Sequence, residues 1–154
     1  MKSKLTSLAS LEDVASSYIN IGDVFKRRWT PNEGVTPKDG QADRTKMFVV
    51  VGVDEDYIYG GLLINSNPNR GEQAKNCDFL CEQHLIRHID YEFLRYDSFI
   101  DCTQIKLIKK TEITKCLSAQ VGCLNSVDID EVFALLRKTE SLSTKEKKRF
   151  GILK

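Results

Sequence analysis

The sequence predicts an α+β domain that is mainly β, with its helices near the two ends of the chain. The segments "MFVVVGV" and "YIYGGLLIN" are apolar, rich in β-branched and aromatic residues, and joined by the turn-forming "DED". The pattern then changes to helical periodicity in "SVDIDEVFALLRK". At 154 residues the chain fits a single domain, 1–154, that is large enough to bury a core.

The elements before the hairpin are less regular. "LEDVASSYI" carries apolar residues at helical spacing and predicts a short amphipathic helix. A turn at Gly22 leads into a first strand that covers Val24 to Lys26 or beyond. Residues 30–46 contain prolines, glycines and no apolar periodicity, so we expect a long surface loop, and loops of this length are often functional.

After the hairpin of Met47–Val53 and Tyr57–Ile64, the sequence predicts a second loop over 66–76 and two further strands. "HLIRHI" is the shorter strand, and "DYEFLRYD" connects it to a long strand, "SFIDCTQIKLIKK". Neither face of the long strand is cleanly apolar. Partial burial of both faces is typical of a small sheet that curls toward a barrel.

Two helices are predicted at the C-terminus. The first completes a unit of residues 20–138, and a terminal helix occupies 140–154. Ser143 and Glu146 have the spacing of a capping box, and Gly151 suits the end of the last helix.

Composition limits the function classes. There are 23 basic and 22 acidic residues, so any attraction to nucleic acid must come from a local patch. Five cysteines without a CxxC pair are typical of a reduced compartment. No apolar run is long enough to span a membrane, and no secretory signal is visible. We therefore expect a cytoplasmic protein that has no membrane partner.

The segment "CDFLCEQHLIRH" raises the question of zinc. Cys77, Cys81, His84 and His88 are spaced so that, on a helix, the outer two would lie roughly 16 Å apart. A zinc ion needs its ligands to converge within about 2.0–2.3 Å, so we predict no metal site and no cofactor. In a strand, His84 and His88 would share one face, which makes that face a candidate ligand surface.

The order of the segments resembles that of a known family. "GDV" opens a strand, a long loop follows, then "KMFVVVG…GGLLINS", a further strand, "DSFIDCTQIKLI" and "GCLNSVDIDEVFALL". Over residues 20–138 this order is similar to the MazF/PemK/Kid toxins. The resemblance implies an SH3-like barrel of MazF/PemK/CcdB type and a homodimer. It also implies a metal-independent, sequence-specific endoribonuclease of a toxin-antitoxin or phage-defence system, with single-stranded RNA and an antitoxin protein as partners.

The same resemblance points to catalytic residues, with departures from the family pattern. The basic residue before the second strand, an Arg followed by Pro in the family, falls on Lys46, with Arg44 just upstream. Where the family has Thr or Thr-Ser, this chain has Asn65 and Ser66. Where some members place Arg and Asp around a Cys before Gln, this chain has Asp101 in "DCTQ". The candidate catalytic set is therefore Arg44, Lys46, Asn65 and Asp101.

Cleavage of RNA by its own 2′-hydroxyl needs a base, an acid and a cation for the phosphorane charge. Lys46 or Arg44 can supply the cation, whereas Asn65 cannot transfer a proton at neutral pH. Asp101 and the two histidines are the acid–base candidates, because His titrates near physiological pH.

Further residues are candidates for binding the nucleic acid. In "KRRW" the arginines suit phosphate contacts and the tryptophan suits stacking on an unpaired base, although a solvated strand end with the ring packed on the core explains the pattern equally well. The candidate binding residues are Arg27, Arg28, Trp29, Ser66, His84, His88, Thr103 and Gln104.

Three function classes stay open. The first is the ribonuclease, and the second is a catalytically inactive barrel that binds protein or nucleic acid, as the altered site residues suggest. The third is a gyrase-poisoning toxin of the same fold, which would act through the extreme C-terminus.

Overall fold

The structure is a computed structural model, and it describes residues 19–33, 35, 44–66, 82–115 and 119–153. The predicted N-terminal helix lies outside the described residues, as do most of the loops predicted at 30–46 and 66–76. A 3-10 turn covers Pro31–Glu33. The strands are β1 Asp23–Trp29, β2 Arg44–Val53, β3 Ile58–Asn65, β4 Gln83–Ile86, β5 Ser98–Asp101, β6 Lys106–Lys109 and β7 Gln120–Cys123; the helices are α1 Lys110–Lys115, α2 Ser126–Lys138 and α3 Thr144–Arg149.

The described strands form one curled antiparallel sheet in the order β4-β5-β3-β2-β1-β7, with β6 also paired to β3. The prediction of a mainly β domain with helices is therefore confirmed. Both faces of the sheet bury apolar side chains, in agreement with the absence of a clean apolar alternation. One face packs against α2 and α3 through a cluster that includes Val49, Leu62 and Leu136, and the other holds a smaller cluster around Phe48 and Trp29.

The central hairpin is confirmed. β2 begins at Arg44, earlier than the predicted run from Met47, and β3 has the predicted length but is displaced by one residue. Its turn is fixed by Asp54, whose Oδ1 accepts hydrogen bonds from the backbone N–H groups of Asp56, at 2.9 Å, and Ile58, at 2.7 Å. Tyr57 has a positive φ of 60°, which places it in the turn rather than in the strand. The side chain of Asp54 thus fixes the turn, while the register of the pair shifts between Val50 and Gly52.

The predicted long strand over residues 98–110 is wrong as a continuous element. It is divided into β5 and β6, which pair with opposite ends of β3. The division follows from Asp101, whose Oδ1 accepts hydrogen bonds from Thr103 N at 2.9 Å and Thr103 Oγ1 at 2.5 Å. This local turn replaces ladder hydrogen bonds and shifts the alternation of side chains between the two strands.

The histidines do not share a strand face, because β4 ends at Ile86. His84 lies within the strand and its ring contacts α2, whereas His88 follows the strand and its exposed ring contacts Asp97 at 2.7 Å. The expectation of one histidine-bearing face was therefore wrong.

Two C-terminal helices are present, but the last one covers Thr144–Arg149 rather than the predicted 140–154. Asn125 caps α2 by accepting a hydrogen bond from Asp128 N, and the predicted capping box of Ser143 and Glu146 begins α3. Gly151 follows α3 with a φ of 74°, a left-handed conformation that suits glycine. No helix within the described ranges is long and apolar enough to cross a membrane.

Candidate active site

A cleft of about 340 Å³ opens where the start of β2 meets the end of β3 and the segment before β5. Four of its lining residues are cationic, and none of the lining residues in the described part of the chain is acidic. This concentration of positive charge contrasts with the formal net charge of +1 for the whole chain. The cleft is lined by Lys26, Arg44, Thr45, Lys46, Met47, Ile64, Asn65, Ser66, Leu94, Arg95, Tyr96 and Ser98.

Lys46 and Asn65 meet because of the register between β2 and β3. Phe48 pairs with Leu63 in this antiparallel pair. Lys46 lies two residues before Phe48, and Asn65 lies two residues after Leu63. Their side chains therefore project from the same face of the sheet. Lys46 Nζ donates a hydrogen bond to Asn65 Oδ1, so the amide holds the ammonium group at the edge of the cleft.

Burial, together with the neighbouring charges of Arg44 and Lys106, lowers the pKa of Lys46 from its ordinary value of 10.5 to about 8. The carboxylate of Asp101 acts in the opposite direction and favours the charged amine. Lys46 is consequently protonated for the most part at pH 7 and can lose its proton within the physiological range. Such a group is suited to proton transfer.

Asp101 is held rigidly at the end of β5. Its Oδ1 accepts a third hydrogen bond from Gln83 Nε2, at 2.9 Å, in addition to the two from Thr103. Asp101 shares a sheet face with Phe99, which pairs with Asn65, and this explains its electrostatic effect on Lys46. The four residues predicted as catalytic, Arg44, Lys46, Asn65 and Asp101, thus lie at one end of one sheet face.

Lys106 joins this cluster, although no pattern in the sequence pointed to it. It pairs with Gly61 on β3, and its Nζ donates a 2.6 Å hydrogen bond to the carbonyl oxygen of Glu33. Burial lowers its pKa, while Asp101 and Glu33 raise it. A continuous strand would place residues 101 and 106 on opposite faces, so only the break after Asp101 brings them together.

The "KRRW" residues divide between the two faces. Trp29 is 1% exposed and packs edge-on against Phe48. Its ring therefore belongs to the core and is not a surface platform for a base. Arg27 lies over that ring at 4.3 Å and forms ion pairs with Glu33, at 2.6 Å, and Glu112, at 2.9 Å. Arg28 is exposed on the opposite face.

The remaining predicted binding residues are scattered. Ser66 is exposed and lines the cleft. Thr103 donates a hydrogen bond to Asp101, and the next residue, Gln104, is exposed. His84 and His88 contact carboxylates in other regions and are not among the residues that line the cleft. The roles predicted for all these residues stay predictions.

The cleft also contains residues that the sequence did not suggest. Lys26 pairs with Met47 and adds a cation, and Arg95 with Tyr96 forms the opposite wall. Tyr96 is 62% exposed, which leaves its ring available to a ligand. An aromatic residue next to an arginine in "LRYD" was a signal that could have drawn attention to this wall.

The chain matches no protein-family model and no curated protein. Its function must therefore be inferred from the geometry of the cleft and of the Lys46 cluster.

Proposed function

We propose that this protein is a metal-independent endoribonuclease that cleaves single-stranded RNA, as its resemblance to the MazF/PemK toxins implies. The observation that carries the proposal is the position of Lys46. Its amine, with a pKa of about 8, belongs both to a cation-lined cleft and to a cluster that contains the carboxylate of Asp101. A cleft of this charge suits a phosphate backbone, and the adjacent cluster holds groups that can give and accept protons.

The chemistry follows from these groups. The ribose 2′-oxygen attacks the neighbouring phosphorus, and the Asp101 carboxylate takes the hydroxyl proton. The bond between phosphorus and the 5′-oxygen breaks as the Lys46 ammonium gives its proton to the leaving oxygen. Arg44 stabilises the charge of the phosphorane. The products are a 2′,3′-cyclic phosphate and a 5′-hydroxyl end.

In the cell, such cleavage of messenger RNA would stop growth, which is the action of a toxin in a toxin-antitoxin or phage-defence system. The proposal therefore includes a cytoplasmic location, an SH3-like barrel that forms a homodimer, and an antitoxin protein that covers the cleft. The charge of the cleft supports the proposed antitoxin, because a cationic cleft would attract an acidic protein segment as well as RNA.

A catalytically inactive barrel that binds RNA is the second candidate, and Asn65 favours it. Its amide holds Lys46 but cannot transfer a proton, and it stands where the resemblance leads us to expect Thr. Gyrase poisoning through the C-terminus receives less support, because Phe150 and Ile152 are both buried in the core rather than exposed to a partner.

The experiment that tests the proposal is incubation of the purified protein with a long mixed-sequence RNA in EDTA, followed by mapping of the new ends. We expect discrete cuts with 5′-hydroxyl ends. Lys46→Ala should reduce the rate by about 10³-fold, since it removes both a cation and a proton donor. Lys109→Ala is the matched control, because Lys109 is an exposed lysine on β6 and should be dispensable.

Intact RNA from folded protein that carries no bound antitoxin would overturn catalysis. If that protein retained RNA, and lost it on substitution of Lys46, the inactive binding barrel would be the correct function.

A further inference from the structure

A compact set of potential metal ligands lies on the helix-covered side of the sheet, away from the Lys46 cluster. His84 Nε2 is 2.8 Å from Asp128 Oδ1, and His84 Nδ1 is 3.4 Å from Glu131 Oε2. One ligand atom from each of these three residues lies within 4.8 Å of the others. The side chain of His84 is 11% exposed, so the set is partly screened from water.

The local sequence explains how these residues meet. Asn125 caps α2 and places Asp128 in its first turn, and Glu131 follows one turn later on the same side of the helix. His84 pairs with Ile100, a fully buried residue of the helix-covered face. Alternation along β4 therefore directs the imidazole toward α2 rather than toward the Lys46 cluster.

Asp128 is fixed by a second layer of hydrogen bonds. The hydroxyl of Tyr91 donates to Asp128 Oδ2 and accepts a 3.1 Å hydrogen bond from Asn125 N. Support of this kind around a carboxylate is typical of metal sites, where partners of the ligands hold them in orientation.

The charges of the set also suit a cation. With a neutral imidazole, the two carboxylates carry a charge of −2, which a divalent ion would balance. One imidazole nitrogen and two carboxylate oxygens form a donor set that first-row transition metals such as zinc accept. Alkaline-earth ions prefer sites made of oxygen alone, so they fit less well.

We propose that His84, Asp128 and Glu131 bind one divalent transition-metal ion of the zinc class, which links β4 to α2. His84 Nε2 and Asp128 Oδ1 are 2.8 Å apart and need to separate only to about 3.3 Å to become adjacent ligands of a tetrahedral ion. The side chain of Glu131 is 61% exposed, so it can rotate away from His84 Nδ1 and provide the third ligand. Water provides the fourth ligand. The expectation of no metal site arose from a different set, which paired His84 with Cys77, Cys81 and His88.

Calorimetric titration of Zn²⁺ into the full chain, previously dialysed against EDTA, tests the proposal. We expect one ion per chain. Glu131→Gln should weaken binding at least tenfold, and because Glu131 is exposed, this variant should fold normally. His88→Ala is the matched control, since His88 also contacts a carboxylate, Asp97, but its side chain is 59% exposed and it has no second acidic partner in the described residues. Its affinity should be unchanged.

Two further measurements identify the ligands. Co²⁺ in place of Zn²⁺ should give a spectrum of nitrogen and oxygen coordination, without thiolate charge transfer. At a hundredfold excess over its Kd, Zn²⁺ should raise the Tm by about 5–10 °C in the wild type, and by less at the same concentration in Glu131→Gln. Absence of binding, a thiolate band, or equal affinity in Glu131→Gln would overturn the site. RNA cleavage in EDTA reports on Lys46 alone, so the two proposals fail separately.

Discussion

Lys46 and Lys147 are both withdrawn from solvent, but their surroundings differ. Lys147, 8% exposed, donates hydrogen bonds to the carbonyl oxygens of Arg137, at 3.0 Å, and Thr139, at 2.6 Å. Lys46 is held by one side-chain amide and is surrounded by other cations. Burial of a lysine therefore does not itself indicate a functional site. The difference lies in the partners of the ammonium group. Backbone carbonyl oxygens accept its hydrogen bonds in Lys147, whereas burial and neighbouring cations lower its pKa in Lys46.

Asp101→Asn should show how far Lys46 depends on its acidic neighbour. Because the amide keeps the shape of the carboxylate but cannot accept the 2′-hydroxyl proton, we expect RNA cleavage to fall by about 10²–10³-fold. Single-turnover cleavage of a short RNA measures this loss, and thermal unfolding monitors the fold. Wild-type activity in the variant would show that Asp101 does not accept the 2′-hydroxyl proton, and the mechanism would then lack a general base.

Lys147→Ala should have the opposite pattern of effects. The substitution leaves two carbonyl oxygens at the C-terminal end of α2 without their donor, so the free energy of unfolding should fall by about 2–3 kcal/mol. Urea denaturation measures the loss. Cleavage per folded molecule should stay at the wild-type level, and a large catalytic defect would show that the two lysines are less distinct than their contacts indicate.

Lys46→Met should stabilise the protein while it removes activity. The pKa of Lys46 is lowered in the folded state, so the folded state disfavours the ammonium at pH values below about 8, and this penalty disappears as the pH approaches 10.5. Since Lys46 keeps some contact with solvent, we expect a gain of about 1–2 kcal/mol at pH 7 and a smaller gain at pH 10. Denaturation at both pH values checks the sign; a loss of stability at pH 7 would contradict it.

The hairpin and the two C-terminal helices could be predicted because their signals are local. The alternation in β2 and β3 and the capping residues Asn125 and Ser143 act over a few residues. The meeting of Lys46 with Asn65 depends in addition on the register shift between Val50 and Gly52, which no sequence pattern predicted.

The other parts of the site depend on tertiary contacts. Lys106 reaches the cluster only because Asp101 bonds to Thr103 and breaks a strand that the sequence presents as continuous. Trp29 could have been a surface platform or a core residue, and packing against Phe48 decides between them. The contact between His84 and Asp128 joins residues 44 positions apart, which no local pattern reveals.

The pH dependence of RNA cleavage by the wild type and by Lys46→Arg tests the central claim most directly. If Lys46 donates the proton, the wild-type rate should fall tenfold per pH unit above about pH 8. Arginine stays charged to above pH 12, so the variant should be slower at neutral pH but lose this fall. A fall near pH 8 that persists in Lys46→Arg, or a wild type that leaves RNA intact at every pH, would contradict the assignment of Lys46 as the proton donor.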